Sequence, residues 1–241
     1  MKHLLLVLLF IVPTVLWGQE VTHEHSIHHA FTENLGQWNE RILFKSQFDG
    51  GNLWVQQQKM VFHLQDFSGI HEAHAAANSK TKFKEPVIKQ TVVHLNFVGS
   101  NDVSEIEKAQ PTQAYQNFFI GNDASKWASE VHGFSEAIMK DLYDGIDLKL
   151  IEQEEQLKYE FHVKPGTDPN QILLDYAGQS SLSLNKKGDL IIDTKLGKII
   201  EQKPYAYQIV NGNVREVSCQ FILEDSKVKF QLGKYNPNAV L

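Results

Sequence analysis

Cysteine is almost missing: Cys219 is the one thiol in 241 residues. A disulfide framework is therefore excluded, and the fold has to be held by burial of apolar surface. Basic clusters are missing as well. Lys and Arg number 23 against 29 Asp and Glu, for a net charge of -6, and nowhere do cations concentrate as a nucleic-acid-binding face requires. No uninterrupted apolar run reaches about 20 residues, so no membrane span is expected in the mature chain. The sequence contains no G-x-S-x-G elbow, no H-E-x-x-H pair and no phosphate loop. It also lacks a repeat of solenoid or propeller period.

What is present starts with an address. Met1-Lys2-His3, an apolar core from Leu4 to Val12, and Pro13 to Gly18 reproduce the basic, apolar and small-residue regions of a secretory leader. Residues 1–18 are read as a signal peptide cleaved after Gly18, and the mature chain as secreted or extracellular at a cell surface. No cysteine follows the apolar core, so the acylation site of a bacterial lipoprotein is absent. Residues 19–30 are polar, carry His23, His25, His28 and His29, and show no packing period. Imidazole is a common metal ligand, but a tract of this composition reads as a flexible mature N-terminus.

From Phe31 onward the pattern is that of short strands. Ile42 and Phe44 alternate, Asp49-Gly50-Gly51 turns the chain, Leu53 and Val55 resume it, and Met60, Phe62 and Leu64 share one face. The stretch 71–90 breaks the rhythm and is read as a mobile loop, with His71 and His74 lacking a third ligand nearby. Val93, Leu95 and Phe97 form the next apolar face. Asn122-Asp123 can open a short helical turn through Ser125 to Glu130. The densest part is 142–208, where Asp-Gly, Pro-Gly, Ala-Gly, Lys-Gly and Leu-Gly pairs punctuate a meander of antiparallel strands.

Inward faces are assigned to Tyr159/Phe161/Val163, to Val217/Cys219/Phe221/Leu223 and to Val228/Phe230/Leu232. Cys219 is thus a buried apolar residue and not a nucleophile. His63, His94 and His162 fall on the outward phases. A dozen or more strands with very little helix predict an all-β fold of two packed antiparallel β-sandwich-like lobes, residues 31–130 and 131–241.

Candidate chemistry is sparse. Asp141, Asp144 and Asp147 are spaced as a calcium site could be, yet not as an EF-hand, and Asp144-Gly145 is better explained as a turn. Trp38, Trp54 and Trp127 could stack on sugar rings, and Trp54, beside Gly51 at a strand start, is the candidate for ligand stacking. No catalytic, cofactor-binding or metal-binding residue is assigned.

The segments FTENLGQW (31–38), YQNFFIGNDASKW (115–127), LYDGIDLKL (142–150), YEFHVKPGTDPNQILLDYAG (159–178) and EQKPYAYQ (201–208) resemble the N-terminal β-rich domain of large Bacteroidetes cell-surface proteins. In that family a domain of unknown function precedes β-propeller-type or immunoglobulin-like repeats and a type IX secretion sorting domain. The family pattern runs on past a segment like Gly233 to Pro237, whereas this sequence stops at Leu241, as a stand-alone or truncated relative would. The resemblance implies a non-enzymatic structural or interaction module, related to adhesion or gliding, whose partners are surface glycans or other cell-surface proteins. A carbohydrate-binding module is the alternative, and a hydrolase comes third.

Overall fold

The computed structural model describes residues 9–14 (backbone only), 30–70, 73, 85–153 and 156–241. In chain order the first nine strands are β1 (Leu9–Thr14), β2 (Phe31–Glu33), β3 (Ile42–Phe48), β4 (Gly51–Gln56), β5 (Lys59–Asp66), β6 (Lys89–Phe97), β7 (Ile106–Phe118), β8 (Ala128–Tyr143) and β9 (Ile146–Gln153). The rest are β10 (Gln156–Val163), β11 (Leu174–Ala177), β12 (Ser181–Leu184), β13 (Leu190–Thr194), β14 (Gly197–Glu201), β15 (Ala206–Val210), β16 (Asn213–Val217), β17 (Cys219–Glu224) and β18 (Lys227–Leu232). All strand pairs are antiparallel, and helix is confined to short turns among the described residues. The all-β expectation holds.

One continuous hydrogen-bonded path runs β12-β13-β14-β1-β10-β9-β8-β2-β3-β4-β5-β6-β11-β18-β17, with β7 added to β8 and β15-β16 forming a separate hairpin. The path folds over on itself, so that β12 and β17 at its two ends lie side by side. Two facing layers result, β2 to β6 with β11, β18 and β17 on one side and β9, β10, β1 and β14 to β12 on the other. Phe161 of β10 meets Phe97 of β6 and Phe230 of β18 edge to face, at 6.2 and 6.0 Å between ring centroids. The layers draw on both halves of the sequence, since β11, β17 and β18 join strands from before residue 100. Residues 130 and 131, where the expected lobes divide, both lie in β8.

Local sequence explains the hairpins. Asn211-Gly212 joins β15 to β16 with φ of +53° and +79°; two central residues at positive φ match the right-handed twist of the flanking strands. Gly145 turns β8 into β9 at φ +74°, and a Cβ there would meet Thr167 Oγ1 at 2.3 Å. The inward faces fall where the alternation puts them: Met60, Phe62, Leu64, Val93, Leu95, Phe97, Tyr159, Phe161, Val163 and Cys219 are all buried. Burial also pushes the Cys219 thiol up to about 12, which keeps it an unreactive thiol.

Four expectations need correction. The helical stretch after Asp123 is a single 3-10 turn, Ala124–Lys126, because Asp123 caps it and Trp127 is already extended. Residues 115–118 belong to β7, a thirteen-residue strand that sequence alternation does not disclose because nearly every one of its side chains is exposed. Pro111 is tolerated there because β7 is an edge strand paired only with β8, and the ladder breaks directly after it. Val217 ends β16 instead of opening β17. His162 is on the outward phase of β10 yet buried, because both faces of β10 are covered. Its Nε2 lies 3.1 Å from Glu160 Oε2, and Lys158 Nζ lies 2.6 Å from Glu160 Oε1. The histidines at 23, 25, 28, 29, 71 and 74 lie outside the described residues.

Candidate functional site

The loop from Asn34 to Trp38 is built by its own side chains. Asn34 Oδ1 accepts from the amides of Gly36 and Trp38, both at 3.1 Å, while Asn34 Nδ2 donates to the carbonyls of Asn39 and Ile42. Gln37 Nε2 donates to the Glu33 carbonyl at 2.6 Å. An Asn side chain that stands in for a backbone partner in this way rigidifies a tight loop. The result is a fixed, half-buried Trp38.

Trp38 is the centre of an aromatic group. Its ring meets Trp54 of β4 at 5.5 Å and Phe118 of β7 at 5.4 Å, both edge to face. Lys45 Nζ lies 5.3 Å from the Trp54 ring centroid and 6.0 Å from that of Trp38, the geometry of a cation–π contact. Partial burial lowers the Lys45 ammonium below its ordinary value. Beyond Phe118 the chain reaches Phe119 and Ile120, and Phe119 meets Trp127 at 5.8 Å. Phe119, Ile120 and Trp127 are 60, 77 and 45% exposed. A cleft of about 460 Å³ opens beside Trp38 and is lined also by Glu33, Asn34, Glu40, Ile106 and Lys108. Lys108 Nζ bridges both Glu33 oxygens at 2.7 and 2.8 Å.

Trp54, the residue singled out from sequence, is half-buried and stands behind Trp38, whose ring lines the cleft instead. Trp38 and Trp54 are 88° apart, so they make a corner and not a flat platform. Trp38 and Trp54 share one set of ring contacts with Phe118, and Trp127 pairs separately with Phe119, the next residue along the chain, a gathering that spacing along the sequence could not reveal. The exposed pair Phe119 and Trp127 flanks the short turn that Asp123 caps, Phe119 before it and Trp127 directly after.

Two further groups carry ionisable side chains. Glu201 is 0% exposed, and its carboxylate accepts from Tyr159 OH at 2.9 Å and from Tyr176 OH at 2.6 Å. Burial raises the Glu201 carboxyl to about 7, against the two tyrosine hydrogen bonds that pull it down. The tyrosines, 1% exposed each, are pushed well above their usual range, first by burial and then by the charge of Glu201. The acids of the candidate calcium spacing hold cations of the chain itself: Lys164 Nζ contacts Asp141 and Asp147 at 2.5 and 3.4 Å, and Lys140 Nζ contacts Asp147 at 3.5 Å. Asp144 accepts from Asn101 Nδ2. Among the described residues no group of His, Cys, Asp and Glu is arranged to hold a metal ion, and no helix is long and apolar enough to cross a membrane.

The family described as a domain of unknown function, DUF7948, matches residues 31–241. The chain belongs to that family. The DUF7948 match takes in every residue of the aromatic group and the cleft, together with the Glu201 cluster, and begins at the first residue of β2. No curated protein and no solved structure matches the chain.

Proposed function

We propose that this DUF7948 chain is a non-enzymatic extracellular interaction module of a Bacteroidetes cell-surface protein, adhesive or gliding-related, exported by removal of residues 1–18. The observation that carries the reading is the aromatic group Trp54-Trp38-Phe118 together with the adjoining Phe119–Trp127 pair, an exposed apolar tip where β7 turns into β8. Aromatic side chains with open apolar area and few rotatable bonds are what protein and glycan surfaces use as anchors. A rigid scaffold that presents variable loops needs no catalytic group.

A sugar-binding role is the second reading, favoured by the cleft itself. It combines one Trp wall with acidic, amide and ammonium groups, the mixture that positions a pyranose by stacking on one face and hydrogen bonding at the rim. The two readings separate by variant. Replacing Phe119 and Trp127 together by Ala should weaken attachment to a protein or cell surface roughly tenfold or more, while Trp38→Ala should do the same to binding on a glycan array. Both are read at a temperature at which each variant is shown to be folded. Turnover of a polysaccharide, peptide or ester panel by the purified protein would sink the non-enzymatic reading.

Processing is tested on the exported protein by mass spectrometry. An N-terminus at Gln19 is expected, and an intact Met1 would contradict export by cleavage.

A further inference from the structure

β10 and β14 do not pair with each other. Between them lies β1, Leu9–Thr14, antiparallel to both: Leu9, Phe10 and Ile11 are in register with Tyr159, Lys158 and Leu157 of β10, and Ile11 through Thr14 with Glu201 through Lys198 of β14. The two host strands are therefore two sheet spacings apart, about 10 Å. Their register positions on the core side, Leu157, Tyr159, Ile199 and Glu201, are all buried. Under the gap, the bond from Tyr159 OH to Glu201 Oε2 ties β10 to β14 through side chains. That tie spans the width of one intervening strand.

The strand that fills the gap is the apolar centre of the leader, and the DUF7948 match starts at Phe31, downstream of it. A domain processed as proposed above thus begins without the strand its own sheet contains. Left empty, the gap would strip partners from two inner strand edges and uncover buried apolar side chains, both costly. The mature N-terminal residues are poor replacements. Gln19 to Ala30 carries two glutamates and four histidines where Leu9 to Pro13 is uncharged and apolar throughout.

We propose that the gap between β10 and β14 is a strand-acceptor site, which in the processed protein takes a six-residue, extended, uncharged apolar segment of a partner polypeptide. Backbone hydrogen bonds to both edges would provide affinity, and the alternate side chains facing Leu157, Tyr159 and Ile199 would provide selectivity, as in strand addition generally. The leader occupies the site only until it is removed. Pro13, which has no N–H to give, lies past the positions paired to β10, so the site needs full two-sided pairing only near Ile11.

The inference rests on leader removal but not on the aromatic surface, and the test keeps these apart. The exported protein is first weighed, then titrated with a synthetic peptide of residues 9–14 flanked by lysines for solubility, with heat release and the melting curve as readouts. One-to-one binding is expected, with Tm raised by about 5–10 °C when the peptide is roughly a hundredfold above its Kd. A peptide carrying Ile11→Asp should bind at least about tenfold more weakly, because that position faces both host strands. Failure of the native peptide to bind the folded exported protein overturns the site. Equal binding of the Asp peptide overturns it too, as would an exported protein that keeps residues 9–14, in which β1 is a permanent strand. Loss of glycan or surface binding in the aromatic variants leaves each of these outcomes unaffected.

Discussion

Phe161→Ala should cost about 3–5 kcal/mol of folding stability, which for a domain of this size lowers Tm by roughly 10 °C. Phe161 is fully buried on β10 and meets three other rings edge to face: Phe97 of β6, Tyr159 on its own strand, and Phe230 of β18. It is thus one of the side chains that hold one layer to the other. Deleting the ring removes its transfer free energy and leaves a cavity bordered by strands pinned in their ladders, which cannot close around it. Phe161→Leu retains most of the volume and should lose less than half as much. Equal stability of the Ala variant and the parent in a denaturant titration would show that the layers are joined elsewhere.

Glu201→Gln should abolish a fall in stability that the parent protein shows as pH rises. The folded carboxyl is raised to about 7 from an ordinary 4.5, first by burial. Between those values the folded protein binds a proton that the unfolded chain has released, so stability is full below the unfolded value and is lost as pH climbs through about 7. The shift corresponds to about 3 kcal/mol. The groups facing the carboxyl are Tyr159 from β10 and Tyr176 from β11, with Tyr143 of β8 next beyond Tyr159. All three hydroxyls are raised, Tyr143 to about 12, so none of them titrates in the same window. Glutamine copies the neutral acid: its oxygen accepts from one tyrosine and its amide donates to the other. Melting curves at pH 5 and pH 8 should differ by roughly 5–10 °C more in the parent than in the Gln variant. Glu201→Ala, which leaves two buried hydroxyls without an acceptor, should be destabilised at both pH values.

Much of the strand content was legible because one face of each strand is wet and the other dry. Where that holds, as in Met60/Phe62/Leu64 and Val93/Leu95/Phe97, alternation alone identifies the inward residues. It fails at the two extremes. β7 is exposed almost throughout and so carries no apolar alternation. β10 is buried on both faces, so alternation points His162 to solvent whereas it sits buried against Glu160. Periodicity reports the difference between two faces and is silent when they are alike.

The site shows the same division. Asn34, Gly36 and Trp38 are close in sequence, and their loop is a local structure that Asn and Gly chemistry can suggest. The meeting of Trp38 with Trp54 and Phe118 joins β4 and β7 to that loop across tens of residues, and no local rule encodes it. A strand start beside glycines points to an open Trp54, but its neighbours across the sheet, not along the chain, determine its exposure.

By itself, then, the sequence determined the all-β class, the hairpin turns at Asp49-Gly50 and Asp144-Gly145, the inward residues of the half-wet strands and the inert character of Cys219, because each depends on local dihedral preference or on a period of two. Only the tertiary structure decided the order of strands in the sheet, the enclosure of Glu201 between two tyrosines, the aromatic surface around Trp38 and the one-strand gap between β10 and β14. Those depend on which distant segments share an edge or a core, and that is settled by the summed burial of many residues at once and not by any stretch of them.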